Sequence, residues 1–494
     1  MTKFYELGTD ERLNRLLADG LLTAADVALL RGGASRFDIA SRMVENHIGD
    51  FPVPMGLGEH FLIDGERYLI PMATEEPSVI AAAGNAAQRI ARSGGFRTDS
   101  VRGGITAQIV FRSASAGSAH FDTSEGTADR AGSSLGLLAE MKTADISRTA
   151  ADTSLPVSSW SDFLRAHIAQ INEIARQAHP TLTGHGGGLR SVSVRRTGDI
   201  GAVERGAMDN GALNHIAIHD EDNSKAGSQG AARRHAEDFI EFDLLIDPGA
   251  AMGANTVNTI AEAVARYLAD RLQQYELLMA ILSNCAPQQR ARARACIDAD
   301  LLATNDMPGN RVAERIAAAS RFAQVSALRA ATHNKGIMNG INAVVLASGN
   351  DTRNVNAAAY ADLGERHRTW TDWRYDGVQL IGEIDMPMPI GCVGGAISTL
   401  PAAKLAMRLL RQPSAESLMG IVASVGLASN LSAIRALVTR GIQEGHMNLQ
   451  LQSLAMMAGA QGDETEKLVH RLRANPGEAS LAAAQRQLRQ IREE

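Results

Sequence analysis

The sequence predicts an α+β protein of two or three domains, with a small α+β domain in the first half of the chain and a separate helical C-terminal subdomain. Its 494 residues exceed the roughly 250 to 300 at which a single hydrophobic core stops growing, so more than one domain is expected. Strand-like runs bracket the polar stretches of the first half, whereas apolar residues at helical spacing dominate both ends of the chain.

The N-terminal part combines helices with a hairpin. Leucines at helical spacing between residues 9 and 30 predict amphipathic helices. From 51 to 72, short apolar runs alternate with turn residues, among them Asp64-Gly65. We therefore expect a hairpin that leads through Glu75 and Glu76 into an Ala-rich helix.

Two strand-like segments, 107–111 and 239–246, flank regions rich in Ala, Ser, Thr, Gly and Asp. These regions, about 113–159 and 198–234, are predicted to be surface insertions in a small α+β domain. The residues beyond Gly441 have a helical and strongly charged pattern. They are predicted to form a separate helical subdomain.

Composition and charge exclude several functional classes. The net charge is -6, the pI is near 6.1, and no basic block is interleaved with aromatics, so a nucleic-acid footprint is missing. Three scattered cysteines fit a reducing compartment, and neither they nor the histidines show metal-ligand spacing, so no metal site is expected. We find no apolar signal region and no long uncharged apolar stretch, which predicts a cytoplasmic protein without a membrane segment.

The stretch 329–340, followed by Gly349-Asn350-Asp351, has the composition of an active site, because it packs a cation, a carboxylate and several amides between glycines. Lys335 is predicted to be buried with Asp351 as its partner, a pair that can stabilise an oxyanion or pass protons. Arg329 is a candidate for gripping a substrate carboxylate, with a structural salt bridge as the alternative.

Other candidates are weaker by local pattern. Glu75 and Glu76 could supply a general acid if an apolar pocket raises a carboxyl pKa, or they could simply begin a solvated helix. His446 lies at the entrance to the charged C-terminal helices and could act as a hinged general acid or be structural. The turn 247–259 between a strand and a helix could bind a phosphate, or be an ordinary Gly-containing turn.

Taken together, these segments resemble hydroxymethylglutaryl-CoA (HMG-CoA) reductase, in particular the bacterial class II form, which lacks a membrane anchor. The resemblance extends over nearly the whole chain in family order. It covers residues 38–49, 75–82, 252–263, 329–340, 349–351, 386–395 and 441–447.

The resemblance implies a fold and a reaction. The fold is a large domain (1–101 and 288–440), an inserted ferredoxin-like nucleotide-binding domain (102–287) and a C-terminal helical flap (441–494). The implied assembly is a homodimer or larger homo-oligomer with active sites at the interface. The reaction is a reductive deacylation, in which two NADPH or NADH convert (S)-HMG-CoA to mevalonate and CoA, or the reverse.

The resemblance also assigns residues. Lys335 would stabilise the oxyanion, Asp351 would hold and tune Lys335, Glu76 would donate a proton to the reduced aldehyde, and His446 would protonate the CoA thiolate. The substrate's carboxylate and hydroxyl would be held by Ser78, Arg329 and Asn339. The cofactor's pyrophosphate would be held by Met252, Gly253, Ala254 and Asn255.

One position departs from the NAD-preferring relatives, in which an Asp a few residues before a Gly-rich turn binds the adenosine ribose. That place falls at His179 here, so nothing repels a 2′-phosphate, and nearby Arg176 or Arg190 could accept one. Two readings compete with a reductase: a catalytically silent CoA-thioester-binding or scaffold protein, and a thioester hydrolase. The presence of all four catalytic residues argues against a silent binder. The lack of a Ser or Cys nucleophile constellation argues against a hydrolase.

Overall fold

The computed structural model describes residues 4, 7–32, 37–113, 160–197, 239–364, 368–439, 441, 451–474 and 480–493. Nearly all of both predicted insertions, as well as His446, lie outside these residues. The chain divides into two compact units. The large unit comprises Met1–Gly104, Ala250–Gly253 and Asn284–Glu494, and the small unit comprises Ile105–Gly249 and Ala254–Ser283.

Helices and strands alternate in blocks along the described chain. The strands are β1 Met55–Ile63, β2 Glu66–Ala73, β3 Phe96–Arg102, β4 Ile105–Ser113, β5 Gly188–Thr197, β6 Phe239–Asp247, β7 Tyr275–Leu282, β8 Gln289–Asp298, β9 Thr371–Tyr375 and β10 Gln379–Pro387. The helices are α1 Thr9–Ala18, α2 Ala24–Gly32, α3 Phe37–Met43, α4 Val79–Arg92, α5 Trp160–Ala178, α6 Pro180–Gly184, α7 Ala254–Ala269, α8 Gly309–Val325, α9 Ala327–Ala347, α10 Thr352–Asp362, α11 Gly395–Thr399, α12 Pro401–Leu409, α13 Ala415–Val438, α14 Asp463–Ala474 and α15 Leu481–Glu493. The predicted α+β class is confirmed.

The large unit contains a sheet in the order β2-β1-β3-β8-β10-β9. The predicted hairpin is confirmed, since β1 and β2 pair antiparallel around Asp64 and Gly65. Both turn residues have positive φ, 51° and 89°, as a two-residue hairpin turn of this hand requires. Strand β8 was not predicted, although its residues alternate between buried alanine and outward arginine, a period of two that indicates a half-buried strand.

Helix α13 is the centre of the large unit and packs against α4, α9, β3 and β8. It is the one described helix long and apolar enough to span a membrane, with a mean hydropathy of 1.6, but 72% of that window is buried inside the unit. The expectation of no long apolar stretch is therefore wrong for this segment, and its role in the core accounts for the composition. A Cβ on Gly420 would lie 2.6 Å from Thr98 Oγ1, so this glycine lets α13 approach β3 closely.

The small unit is a four-stranded antiparallel sheet in the order β5-β6-β4-β7. Helix α5 connects β4 to β5 along the chain, and α7 connects β6 to β7, which gives the βαββαβ order of ferredoxin-like domains. Inward residues of β6 alternate with outward ones, and α7 buries its apolar face in the same core. The two strand segments predicted from the sequence, within β4 and β6, are confirmed.

His333 lies in the core of the large unit and is 2% exposed. Its Nε2 lies 2.6 Å from Thr371 Oγ1 and 3.0 Å from the side-chain nitrogen of Asn430, which can only donate. Nε2 therefore accepts, and a neutral imidazole fits the network. Burial, helped by the positive charge of Arg329, lowers the pKa of His333 from 6.5 to about 4.

Because His333 is neutral in the folded chain, acidification should destabilise the large unit. The unfolded chain takes up this proton near pH 6.5 and the folded chain only near pH 4, so the contribution is complete above pH 6.5 and is lost as the pH falls toward 4. At pH 5 the loss is about 2 kcal/mol, or about 3 °C in Tm. Thermal unfolding at pH 7 and pH 5 tests this. The fall in Tm between the two pH values should be about 3 °C smaller in His333→Gln than in the wild type. An equal fall in both proteins would contradict the role of the neutral His333.

Candidate active site

Helix α9 carries three of the predicted site residues, Arg329, Lys335 and Asn339. Residues 329–340 all lie inside this one continuous helix. Ser326 caps the helix by accepting the Arg329 N–H at 3.3 Å. Gly340 is needed for packing, since a Cβ there would lie 2.2 Å from Ser429 Oγ of α13. Arg329, Lys335 and Asn339 fall within an arc of about 120° on the outward face of α9.

Lys335 contacts Glu76, which lies in the turn between β2 and α4. Lys335 Nζ is 2.5 Å from Glu76 Oε2, and the Asn339 side-chain amide donates to Glu76 Oε1 at 3.0 Å. Glu76 is itself oriented by its backbone N–H, which donates to Thr74 Oγ1 at 3.1 Å. Both carboxylate oxygens are thus held by groups one helical turn apart on α9.

The predicted burial of Lys335 is wrong, because its side chain is 60% exposed; that of Glu76 is 37% exposed. An ion pair this exposed contributes about 0 to 1 kcal/mol to stability, since water screens the charges. The pair is therefore not needed to hold the fold together. Its chemical capacity is that of a cation beside a carboxyl group.

Asp351 does not contact Lys335 within the described chain, so the predicted pairing is wrong there. Asp351 is the N-cap of α10, and its Oδ1 accepts the N–H groups of Arg353 at 2.8 Å and Asn354 at 3.3 Å. The Arg353 guanidinium lies 3.1 Å from the same oxygen. Burial raises the pKa of Asp351, but these hydrogen bonds outweigh it and hold the pKa below its usual value.

Two further predicted residues, Ser78 and Arg329, are each partly exposed. Ser78 precedes α4 with φ 73° and makes no capping hydrogen bond with its hydroxyl, a strained conformation for a residue with a Cβ. Arg329 is half-buried, and within the part of the chain that the structure describes its guanidinium makes no ion pair. Burial lowers the pKa of Arg329. Both side chains are available to a ligand.

The predicted phosphate turn consists of Met252, Gly253, Ala254 and Asn255. Gly253 has φ 99°, and α7 starts at Ala254 with no acidic residue in its first turn. The first N–H groups of α7 lack intrahelical partners, and its dipole favours an anion at this end.

His179 lies beside α7 within the small unit. Its Nδ1 accepts the N–H of Leu182 and so caps α6, and its Nε2 is 3.5 Å from Thr256 Oγ1 in the first turn of α7. The two arginines predicted to assist it have other contacts, because Arg190 bonds to Asp247 at 2.7 Å and Arg176 pairs with Glu173. His179 is the member of this trio that the structure places at α7.

Comparison with known proteins adds independent findings. The family model described as hydroxymethylglutaryl-coenzyme A reductase matches residues 9–131 and 138–451. The chain is 35% identical over 492 residues to 3-hydroxy-3-methylglutaryl-coenzyme A reductase of Archaeoglobus fulgidus, covering 99% of this chain and 94% of that one. It is 28% identical to a probable reductase of the same name from Borreliella burgdorferi, covering 84% and 78%.

Solved structures agree with these relatives. The fold matches 3-hydroxy-3-methylglutaryl-coenzyme A reductase from Streptococcus pneumoniae with a TM-score of 0.68, 32% identity and 99% coverage of both chains. A second structure, the class II reductase of that organism bound to NADPH in open conformations, matches with a TM-score of 0.67 and 32% identity, covering 98% and 100%.

Proposed function

Because the chain belongs to the hydroxymethylglutaryl-coenzyme A reductase family, we propose that it converts (S)-HMG-CoA to mevalonate and CoA in two reductive steps, or catalyses the reverse. The observation that carries the proposal is the contact of Lys335 and Asn339 with the two oxygens of Glu76. This contact brings together a lysine cation and a carboxyl group that lie 259 residues apart in the sequence. The reduction of a thioester to an alcohol needs groups of both kinds.

Two molecules of a reduced nicotinamide cofactor, bound in turn, would supply one hydride each, the first to the thioester carbonyl carbon and the second to the resulting aldehyde. The N-terminus of α7 suits its pyrophosphate, because the helix has 16 residues, free N–H groups and no acidic residue in the first turn. Met252 to Asn255 are the residues that would hold this group.

In the first step Lys335 stabilises the oxyanion that forms at the thioester oxygen. When the oxyanion collapses to an aldehyde, the carbon–sulfur bond breaks and His446 gives a proton to the CoA thiolate. In the second step Glu76 gives a proton to the alkoxide. Two hydrides and two protons are thus consumed for each free thiol.

The substrate's free carboxylate and hydroxyl are bound by Arg329, Ser78 and Asn339. Arg329 has no competing carboxylate among the described residues, and a planar guanidinium binds a carboxylate in a bidentate manner. The Ser78 hydroxyl makes no capping bond. Asn339 donates to Glu76 through its nitrogen and keeps its oxygen for the substrate hydroxyl.

We propose that the working form is a homodimer or larger homo-oligomer. Three large apolar side chains stand out from the junction of α8 and α9, immediately before Arg329. Phe322 is 57%, Val325 76% and Leu328 89% exposed. A cluster of this kind is typical of a surface that another protein chain covers. The silent-binder alternative has no observation in its favour, since Glu76 and Lys335 meet in the arrangement that catalysis requires.

The direct test follows loss of reduced-nicotinamide absorbance with HMG-CoA and counts cofactor oxidised for each CoA thiol released. We expect a ratio of two, and a preparation that sediments as a dimer or larger species. Lys335→Ala should abolish turnover while the thioester still binds.

Thioester binding without any cofactor oxidation by the wild-type chain would contradict the reductase proposal and favour a silent binder. Retained turnover in Lys335→Ala would contradict the role of this lysine. A monomer at all concentrations would contradict the proposed assembly.

We further propose that NADPH is the preferred cofactor, because His179 replaces the carboxylate that would repel a 2′-phosphate. His179→Asp tests this without loss of the α6 cap, since Asp is also a good N-cap residue. We expect kcat/KM for NADPH to fall about 10-fold or more while that for NADH changes about threefold or less, because a new charge would oppose only the 2′-phosphate.

The matched control is His179→Asn, which caps the helix without a charge and should shift the NADPH to NADH ratio much less. A wild-type chain that prefers NADH, or an unchanged ratio in His179→Asp, would contradict the proposal.

A further inference from the structure

The segment Ala250–Met252 of the large unit packs closely against the loop that follows β10. The Cys392 N–H donates to the Ala250 carbonyl at 2.9 Å, and Ala251 pairs with Val393 in a parallel bridge. Gly391 approaches the segment so closely that a Cβ there would lie 2.3 Å from the Met252 nitrogen and 2.5 Å from the Ala251 carbonyl carbon. Position 391 therefore tolerates only glycine without a shift of this backbone.

Asn350 holds Gly391 in this place. The Gly391 N–H donates to Asn350 Oδ1 at 2.8 Å, and Asn350 Nδ2 donates to the Gly391 carbonyl at 3.0 Å. Nδ2 also donates to Ser348 Oγ at 3.1 Å, which fixes the orientation of the amide. Asn350 is 8% exposed. One buried amide thus pairs with both backbone groups of Gly391, as a neighbouring strand would.

Arg102 holds the same segment from a second direction. Its Nη2 donates to the Ala251 carbonyl at 3.0 Å and its Nη1 to the Ile390 carbonyl at 2.6 Å. The Arg102 side chain is 6% exposed, so these charge-assisted bonds are formed away from water. Arg102 thus fixes both Ala251 and the loop before Gly391, whereas Asn350 fixes Gly391 itself.

We propose that Asn350 is a positioning residue for the nicotinamide cofactor, and that it acts through Gly391 on the backbone of Ala250–Met252. This inference rests on the proposed function, in which Met252 and Gly253 form the start of the pyrophosphate turn. Asn350 also directly precedes Asp351, which caps α10. Its substitution should therefore weaken cofactor binding specifically, whereas the thioester, held by residues of α9 and the β2–α4 turn, should bind as before.

The test uses the full-length protein and measures Kd for NADPH by its fluorescence, Kd for HMG-CoA by calorimetry, kcat and Tm. Asn350→Asp has the same shape but places a carboxylate oxygen against the Gly391 carbonyl, so both the donor and the charge balance are lost. We expect Kd for NADPH to rise about 10-fold or more, with Kd for HMG-CoA within about twofold of the wild type. Asn350→Ala, which removes both bonds without adding a charge, should show the same selectivity.

Asn430→Asp is the matched control. Asn430 is 1% exposed and its amide bonds to His333 and Trp373 rather than to Gly391. This variant should lower Tm and leave both Kd values unchanged. The proposal is overturned if the Asn350 variants bind NADPH as the wild type does, or if they lose NADPH and HMG-CoA affinity equally as Tm falls.

A wild-type chain that binds HMG-CoA but not NADPH would overturn the proposed reductase function, and this inference with it. Normal wild-type turnover with unaffected Asn350 variants would overturn this inference alone.

Discussion

The contact between Glu76 and Lys335 is the interaction on which the functional account depends. It joins a hairpin and a helix of the large unit. Glu76 follows a strand of the hairpin and is oriented by Thr74, whereas Lys335 projects from a helix that starts at a Ser326 cap. Because helix α9 is anchored against α13 at Gly340, the outward position of Lys335 is set by packing on the opposite side of the helix.

Stability and function are supplied by different residues here. The exposed ion pair contributes little to folding, and Ser78 adopts a left-handed conformation that costs free energy. The core beneath offsets this, because α13 lies against both the sheet and α9 and the His333 network is buried there. Substrate positioning requires that the exposed polar side chains of the site are attached to a rigid core.

The sequence predicted local elements of the fold better than the arrangement of the candidate site residues. Local signals were sufficient for the hairpin at Asp64-Gly65 and for strands β4 and β6, because turn chemistry and alternation act over a few residues. The Glu76–Lys335 contact depends on how a hairpin and a helix pack, and no local pattern encodes that. The Lys335–Asp351 pairing was wrong, although Asp351 stands directly before α10, where an Asp is a typical cap.

The central claim is that Glu76 and Lys335 form the catalytic site together, each holding the charged group of the other in place, and a kinetic cycle tests it most directly. The value of kcat/KM for HMG-CoA would be measured with radiolabelled thioester for the wild type, Glu76→Gln, Lys335→Gln and the double variant. Because each partner depends on the other, the double variant should be no more than about threefold slower than the slower single variant. Losses that multiply would show that the two residues act independently and would contradict the account.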